Sequence, residues 1–201
     1  MRPAIDHAAY SAHAVTRFIQ HGLRSSELLQ IVIAAVCGAA VGLAIALIHG
    51  AIDLLHQWCF ALPPGGSLSV GFGVSPLRVA MVPALGGLLL GLAAWLFSRF
   101  RQAEIVDPIE ANALHGGRMS MFGSLRLLLS TMMSNAAGAS VGMEAGYSQC
   151  GASMFSTLGQ YFKLRRMDLR TFVAAGADAA IAAAYNAPLA GAFYGFELIL
   201  G

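Results

Sequence analysis

Two long apolar runs set the pattern of the chain: Leu28 to about Trp58, and Val79 to Phe100. A crossing of the bilayer takes about 20 apolar residues, so each run predicts a transmembrane helix, and the first is long enough to tilt. Gly38 and Gly42 in the first, and Gly86, Gly87 and Gly91 in the second, offer small faces for close helix packing. Asp53, His49 and His56 lie toward the far end of the first run and are expected at the interface. Pro63, Pro64, Gly65 and Gly66 end that helix. Ahead of it, Ala14, Val15, Phe18, Ile19 and Leu23 recur at helical spacing among Arg2, Asp6, Arg17, Arg24 and Glu27. This pattern predicts a short amphipathic helix on the membrane surface within residues 1–27, followed by a membrane domain over 28–201.

Past Arg101 the pattern breaks into shorter pieces. Asp107, Pro108 and Glu110 have the form of a helix start, with Asp as N-cap, Pro first and Glu three residues after the cap. Gly116 and Gly117 stop that helix after about 6–9 residues, too few to cross a bilayer. Met119 to Ala137 reads as an apolar helix carrying Arg126. A glycine-rich break follows, and then a helix from about Ala145 to Tyr161. Asp168 is expected to cap an alanine-rich helix from Leu169 to about Ala184. Tyr185, Asn186, Ala187 and Pro188 break it, and a last short helix runs from Leu189 to Leu200. The fold class is therefore an all-α integral membrane protein with tilted and broken transmembrane helices. Broken helices are tolerated at depth only where the freed backbone is buried in protein or lines a cavity.

Composition agrees: the chain is 57% hydrophobic and 11% charged, where a soluble domain is about 25% charged. No basic cluster is interleaved with aromatics, which argues against a nucleic-acid partner. Cys37, Cys59 and Cys150 stand apart in apolar surroundings, and His7, His13 and His21 lack ligand spacing, so no metal or cofactor is expected. Arg2, Arg17 and Arg24 precede the first span, Arg99 and Arg101 follow the second, and Lys163, Arg165, Arg166 and Arg170 form the most basic loop. The positive-inside bias places all three, and so the N-terminus, in the cytoplasm.

One carboxylate stands out. Glu144 is the only charged residue between Leu127 and Phe162, among Gly138, Gly142, Gly146 and Gly151. An ionised acid at such depth costs about 2.5–3.5 kcal/mol on insertion scales and marks function by default. The starts near Asp107, Ala145 and Ala187 each present unpaired N–H groups and a positive dipole end, the makings of an anion site. Asp107 is fully explained as a cap. Glu144 sits where it could compete with a free anion for the same N–H groups.

These segments resemble the first half of the CLC family of chloride channels and proton-coupled chloride exchangers. Gly142-Met143-Glu144-Ala145-Gly146, followed by Tyr147, Ser148 and Gln149, is similar to the family's GREGP-type motif, whose glutamate gates the anion path. The second glycine is replaced by Ala145 and the proline by Gly146. Tyr185 to Gly191, continuing to Glu197, closely resembles the FNAPLAG…E segment, and Asp107-Pro108 through Leu114 resembles the end of the GSGIP motif and its helix. The resemblance spans roughly residues 28–201 in the right order and implies one inverted repeat of the CLC fold.

It implies a passive chloride path, voltage-gated or glutamate-gated, in a multi-pass bacterial inner membrane. Glu144 would be the gate, with Gly142, Ala145, Gly146 and Tyr147 at the anion and Ile105, Asp107 and Pro108 lining the pore. Ile105 takes the place of a family serine, and Asp107 adds a negative charge, both departures from the usual anion site. Glu197 would be the inner-end carboxylate, and Leu198 falls where exchangers carry a second glutamate, which favours passive flow over proton coupling. The implied partners are chloride or another small anion, the lipid bilayer, and either a second copy in a homodimer or a missing C-terminal half. The last is expected because the chain stops at Gly201 in apolar sequence. Three rivals stand beside this reading: a non-conducting remnant or assembly partner, a proton-coupled exchanger, and a cation pathway lined by Glu144, Asp178 and Glu197. An intramembrane enzyme with Ser140 as nucleophile lacks a positioned base, since no histidine follows His115.

Overall fold

The structure, a computed structural model, describes residues 27–63, 66, 68, 73–99 and 105–200. The amphipathic helix expected within residues 1–27 therefore lies outside the described residues apart from Glu27, as do Arg101 and most of the loop after the first span. Among the described residues the elements are seven α-helices and a terminal π-helical turn: α1 Glu27–Phe60, α2 Pro76–Ser98, α3 Pro108–Ala113, α4 Met121–Ala136, α5 Glu144–Tyr161, α6 Arg166–Tyr185, α7 Pro188–Tyr194 and the π turn Gly195–Leu200.

The first two helices match the two predicted spans. With 34 residues, α1 is about 51 Å long at 1.5 Å per residue, well beyond a hydrocarbon core of about 30 Å. Helix α2 starts earlier than expected, because Ser75 caps it and Pro76 takes the first position. None of its residues is buried. Leu88, Leu92 and Trp95 face outward, as lipid-facing side chains do.

The centre of the molecule is the antiparallel pair α5 and α6. On one side Val41, Ile45 and Ile52 of α1 and Leu128 of α4 pack with Tyr147, Phe155, Phe172 and Ala180. On the other, Ala111 of α3 and Ile199 of the π turn pack with Ala152, Leu169, Val173 and Ala177. Small residues let the backbones approach. A Cβ on Gly151 would collide with the Gly176 carbonyl, and one on Gly176 with that of Gly151 and with Phe155. The small face of α1 meets α6 more loosely: a Cβ on Gly38 would stand 3.5 Å from Ala179 Cβ, and one on Gly42 3.8 Å from Ala183 Cβ. In α2 only Gly86, against Ala137, is close packed; Gly87 and Gly91 face open space.

Two corrections concern the last helices. Asp168 lies in the first turn of α6 rather than at its cap, which is Arg165; there its charge still suits the positive end of the helix dipole. The last segment is not one helix: α7 changes to π-helical winding at Gly195, which lies against the Asp178 carboxylate of α6. His49 and His56, expected at the interface, also make contacts within the protein. His49 meets Tyr147 edge to face with centroids 5.0 Å apart, and His56 Nε2 donates to the Asn135 carbonyl at 2.9 Å. These contacts tie the far half of α1 to α5 and α4.

A candidate anion gate at the start of α5

The break that carries Glu144 is built from both ends. After α4, Gly138 takes φ +87°, a left-handed conformation that a side chain would strain. Its N–H donates to Asn135 O at 2.8 Å, and that of Ala139 to Ser134 O at 3.1 Å. Asn135 Nδ2 then reaches across to the Val141 carbonyl at 3.2 Å. Helix α5 begins one residue earlier than expected. Met143 is its N-cap, without a side-chain cap bond, and Glu144 is its first residue.

Tyr147 N–H donates to the Met143 carbonyl at 2.9 Å. This corrects one expected anion donor: Tyr147 is committed to the helix, and its ring is buried in the core. The N–H groups of Glu144, Ala145 and Gly146 remain at the start of the helix, where the first turn has no carbonyl to offer them. Gly146 is buried, and a Cβ there would press on Thr131 Oγ1 at 2.7 Å, so α5 and α4 touch at this level. Glu144 itself is exposed in this chain. Its Oε1 accepts a hydrogen bond from the Tyr185 hydroxyl at 2.7 Å. Its Oε2 lies 3.5 Å from where a Gly142 Cβ would stand, which places Gly142 directly under the carboxylate.

Tyr185 is the residue the sequence reading missed. It ends α6; Asn186 follows in the left-handed conformation (φ 51°, ψ 39°), and Pro188 starts α7. This turn holds the phenol at the level of the α5 start. The available signal was a tyrosine at the head of the segment that otherwise resembles FNAPLAG.

The structure also brings the Ile105–Pro108 stretch to α5. Gln149, buried five residues after Glu144, donates from Nε2 to Val106 O at 2.8 Å and to Ser124 Oγ at 3.2 Å. Ile105 is exposed and Pro108 buried. Asp107 caps α3 as expected, accepting from Ile109 N at 2.8 Å. At the other end of α3, Asn112 Nδ2 donates to Arg170 O at 3.0 Å and Ile199 O at 3.4 Å, tying α3 to α6 and the π turn. Glu197 lies on that turn, exposed. Nine residues beyond Pro188, it is about 14 Å along the chain axis from the Tyr185 break. Glu144 and Glu197 are thus not brought together. Among the described residues no cluster of side chains could hold a metal ion.

A profile described as voltage gated chloride channel matches residues 86–201. Curated relatives named voltage-gated ClC-type chloride channel ClcB include proteins of Yersinia pestis, Salmonella typhi and Escherichia coli O9:H4. The Yersinia protein is 29% identical over 177 residues, covering 87% of this chain and 42% of the relative. The Salmonella protein is 32% identical over 175 residues, 86% of this chain and 42% of the relative. The Escherichia protein is 33% identical over 175 residues, 86% of this chain and 41% of the relative. The chain thus spans about two fifths of the length of the curated relatives it matches. No solved structure matches it. With the family profile covering more than half of its length, and with an all-helical architecture that holds two membrane-length apolar helices, this chain belongs to the voltage-gated chloride channel family, CLC.

Proposed function

We propose that this chain contributes one wall of a passive chloride path across a membrane, and that Glu144 gates it. The observation that carries the reading is the placement of an exposed carboxylate at the first residue of α5, beside the N–H groups of Ala145 and Gly146. The helix end is positive by about half a charge, so it suits an anion, and an ionised Glu144 competes for the same place. The gating side chain leaves when it is protonated or displaced. Gly142 gives it room, and Ile105, Asp107 and Pro108, joined to α5 through Gln149, line the approach. A path of this kind needs a second wall opposite Glu144, which further protein in the assembly supplies, either a second copy or a C-terminal half.

The carboxylate at the inner end is Glu197, and Leu198 beside it leaves no second acid on that turn. That favours passive flow over proton exchange. The Lys/Arg bias supports a cytoplasmic N-terminus ahead of a membrane domain over 28–201, in a bacterial inner membrane.

The rival cation path uses Glu144, Asp178 and Glu197. Asp178 sits against Gly195, two residues before Glu197, while Glu144 bonds Tyr185 ahead of α7, and among the described residues the three acids do not form one ligand set. Reversal potentials in proteoliposomes decide between the two. Under a chloride gradient with symmetric potassium, the proposal expects a potential near the chloride equilibrium value. A potential that follows a potassium gradient overturns it.

A further inference from the structure

We infer that Tyr185 is a latch on the gate: its hydroxyl holds the Glu144 carboxylate over the start of α5 and biases the path toward its closed form. The inference rests on the reading of Glu144 as the gate, and adds to it a residue that controls how readily the gate leaves. The bond is direct, with the phenol donating to Glu144 Oε1 at 2.7 Å, within the range of good O–H···O hydrogen bonds. It joins residues 41 apart in sequence, so no local turn imposes it.

The two groups sit at the ends of helices whose separation is fixed. Helix α6 ends at Tyr185 and α5 begins at Glu144. The pair is in backbone contact at Gly151 and Gly176, seven residues from Glu144 and nine from Tyr185. Asn186 in the left-handed region turns the chain away immediately after the phenol, which leaves the ring directed across the break. The carboxylate in turn has its second oxygen over Gly142, where there is no side chain to displace it. Both oxygens are thus accounted for in one position.

The chemistry fits a latch rather than a packing contact. Both residues are exposed, so neither is needed to fill a core. A carboxylate accepts and does not donate, and a phenol supplies the one donor that binds it; a charged acceptor makes the bond about twice as strong as a neutral one. A phenylalanine at this position, as in the family segment quoted above, fills the same space but has no donor. The latch is therefore a property of this chain's tyrosine.

The test combines two readouts on Tyr185→Phe, which keeps the ring. The first is infrared difference spectroscopy of the ring C–O stretch in the purified chain with labelled tyrosine. The wild-type minus Tyr185→Phe spectrum isolates the Tyr185 band, and Glu144→Gln is expected to move it toward that of a phenol donating to a neutral acceptor. An unmoved band overturns the latch. The second is chloride flux in a conducting preparation. Tyr185→Phe is expected to raise flux about three- to tenfold, the lost worth of an exposed charge-assisted bond, and to add nothing in the Glu144→Ala background. An equal rise in both backgrounds, or no rise while Glu144→Ala alone raises flux, overturns the latch and leaves the gate standing. Flux whose rate and pH dependence are both unchanged by Glu144→Ala removes the gate itself, whatever Tyr185 does, and with it the latch.

Discussion

In the α5–α6 seam, an alanine at Gly151 would drive its Cβ into the Gly176 carbonyl and to 2.8 Å from Ala180 Cβ. The obstacle is backbone, so relief requires the two central helices to move apart. Overpacking of this kind costs about 1–3 kcal/mol, and the upper end applies where nothing flexible can yield. Against it stands a gain of about 0.5–1 kcal/mol for replacing a helical glycine by alanine. Gly151→Ala should therefore destabilise by about 2 kcal/mol. At Gly42 the added methyl meets Ala183 Cβ at 3.8 Å, ordinary contact, so only the gain remains and Gly42→Ala should stabilise by about 0.5–1 kcal/mol. The difference, about 2.5–3 kcal/mol, is near a hundredfold in the unfolding constant. Titration of the purified chain in mild detergent with SDS, followed by far-ultraviolet circular dichroism, measures both. Both variants shifting the midpoint in the same direction, or Gly151→Ala lying within about 0.5 kcal/mol of wild type, would show that the Gly151–Gly176 contact does not limit the packing of α5 on α6.

Two further predictions use the contacts that place the site. Gln149→Leu removes the donor to Val106 O and leaves a carbonyl without its partner; it should destabilise by about 1–3 kcal/mol in the same titration, and a loss below about 0.5 kcal/mol would show that Gln149 does not hold the Ile105–Pro108 stretch to α5. Asp107→Ala deletes the N-cap of α3, a change of about 0.5–2 kcal/mol. Since α3 has only 6 residues, hydrogen exchange should rise within Pro108–Ala113 and hardly elsewhere, whereas a rise spread over α5 and α6 would contradict a local role.

Much of the framework was legible because it rests on local chemistry. Asp107 and Pro108 announced the start of α3, and the tetrad Tyr185 to Pro188 announced a break that Asn186 executes by entering the left-handed region. The two long spans followed from hydropathy alone. The start of α5 was displaced by one residue because it has no capping side chain: Met143 does the work with its backbone, and glycines on both sides leave no preference to read. That single residue matters, since it turns Glu144 from a residue outside the helix into its first member and commits Tyr147 N–H to the Met143 carbonyl. The π turn was hidden because its winding answers to Asp178, seventeen residues earlier, lying against Gly195. The Glu144–Tyr185 bond was hidden for the same reason. Pattern and spacing report neighbours along a helix, whereas this contact depends on how tightly α5 and α6 pack at Gly151 and Gly176.

Whether an anion path passes the start of α5 under control of Glu144 is a question of flux. Chloride efflux from proteoliposomes, wild type against Glu144→Ala across a range of pH, tests it most directly. In a conducting preparation the substitution should raise the efflux rate or abolish its dependence on pH. Conducting protein whose rate and pH dependence are the same with and without the Glu144 carboxylate would contradict it.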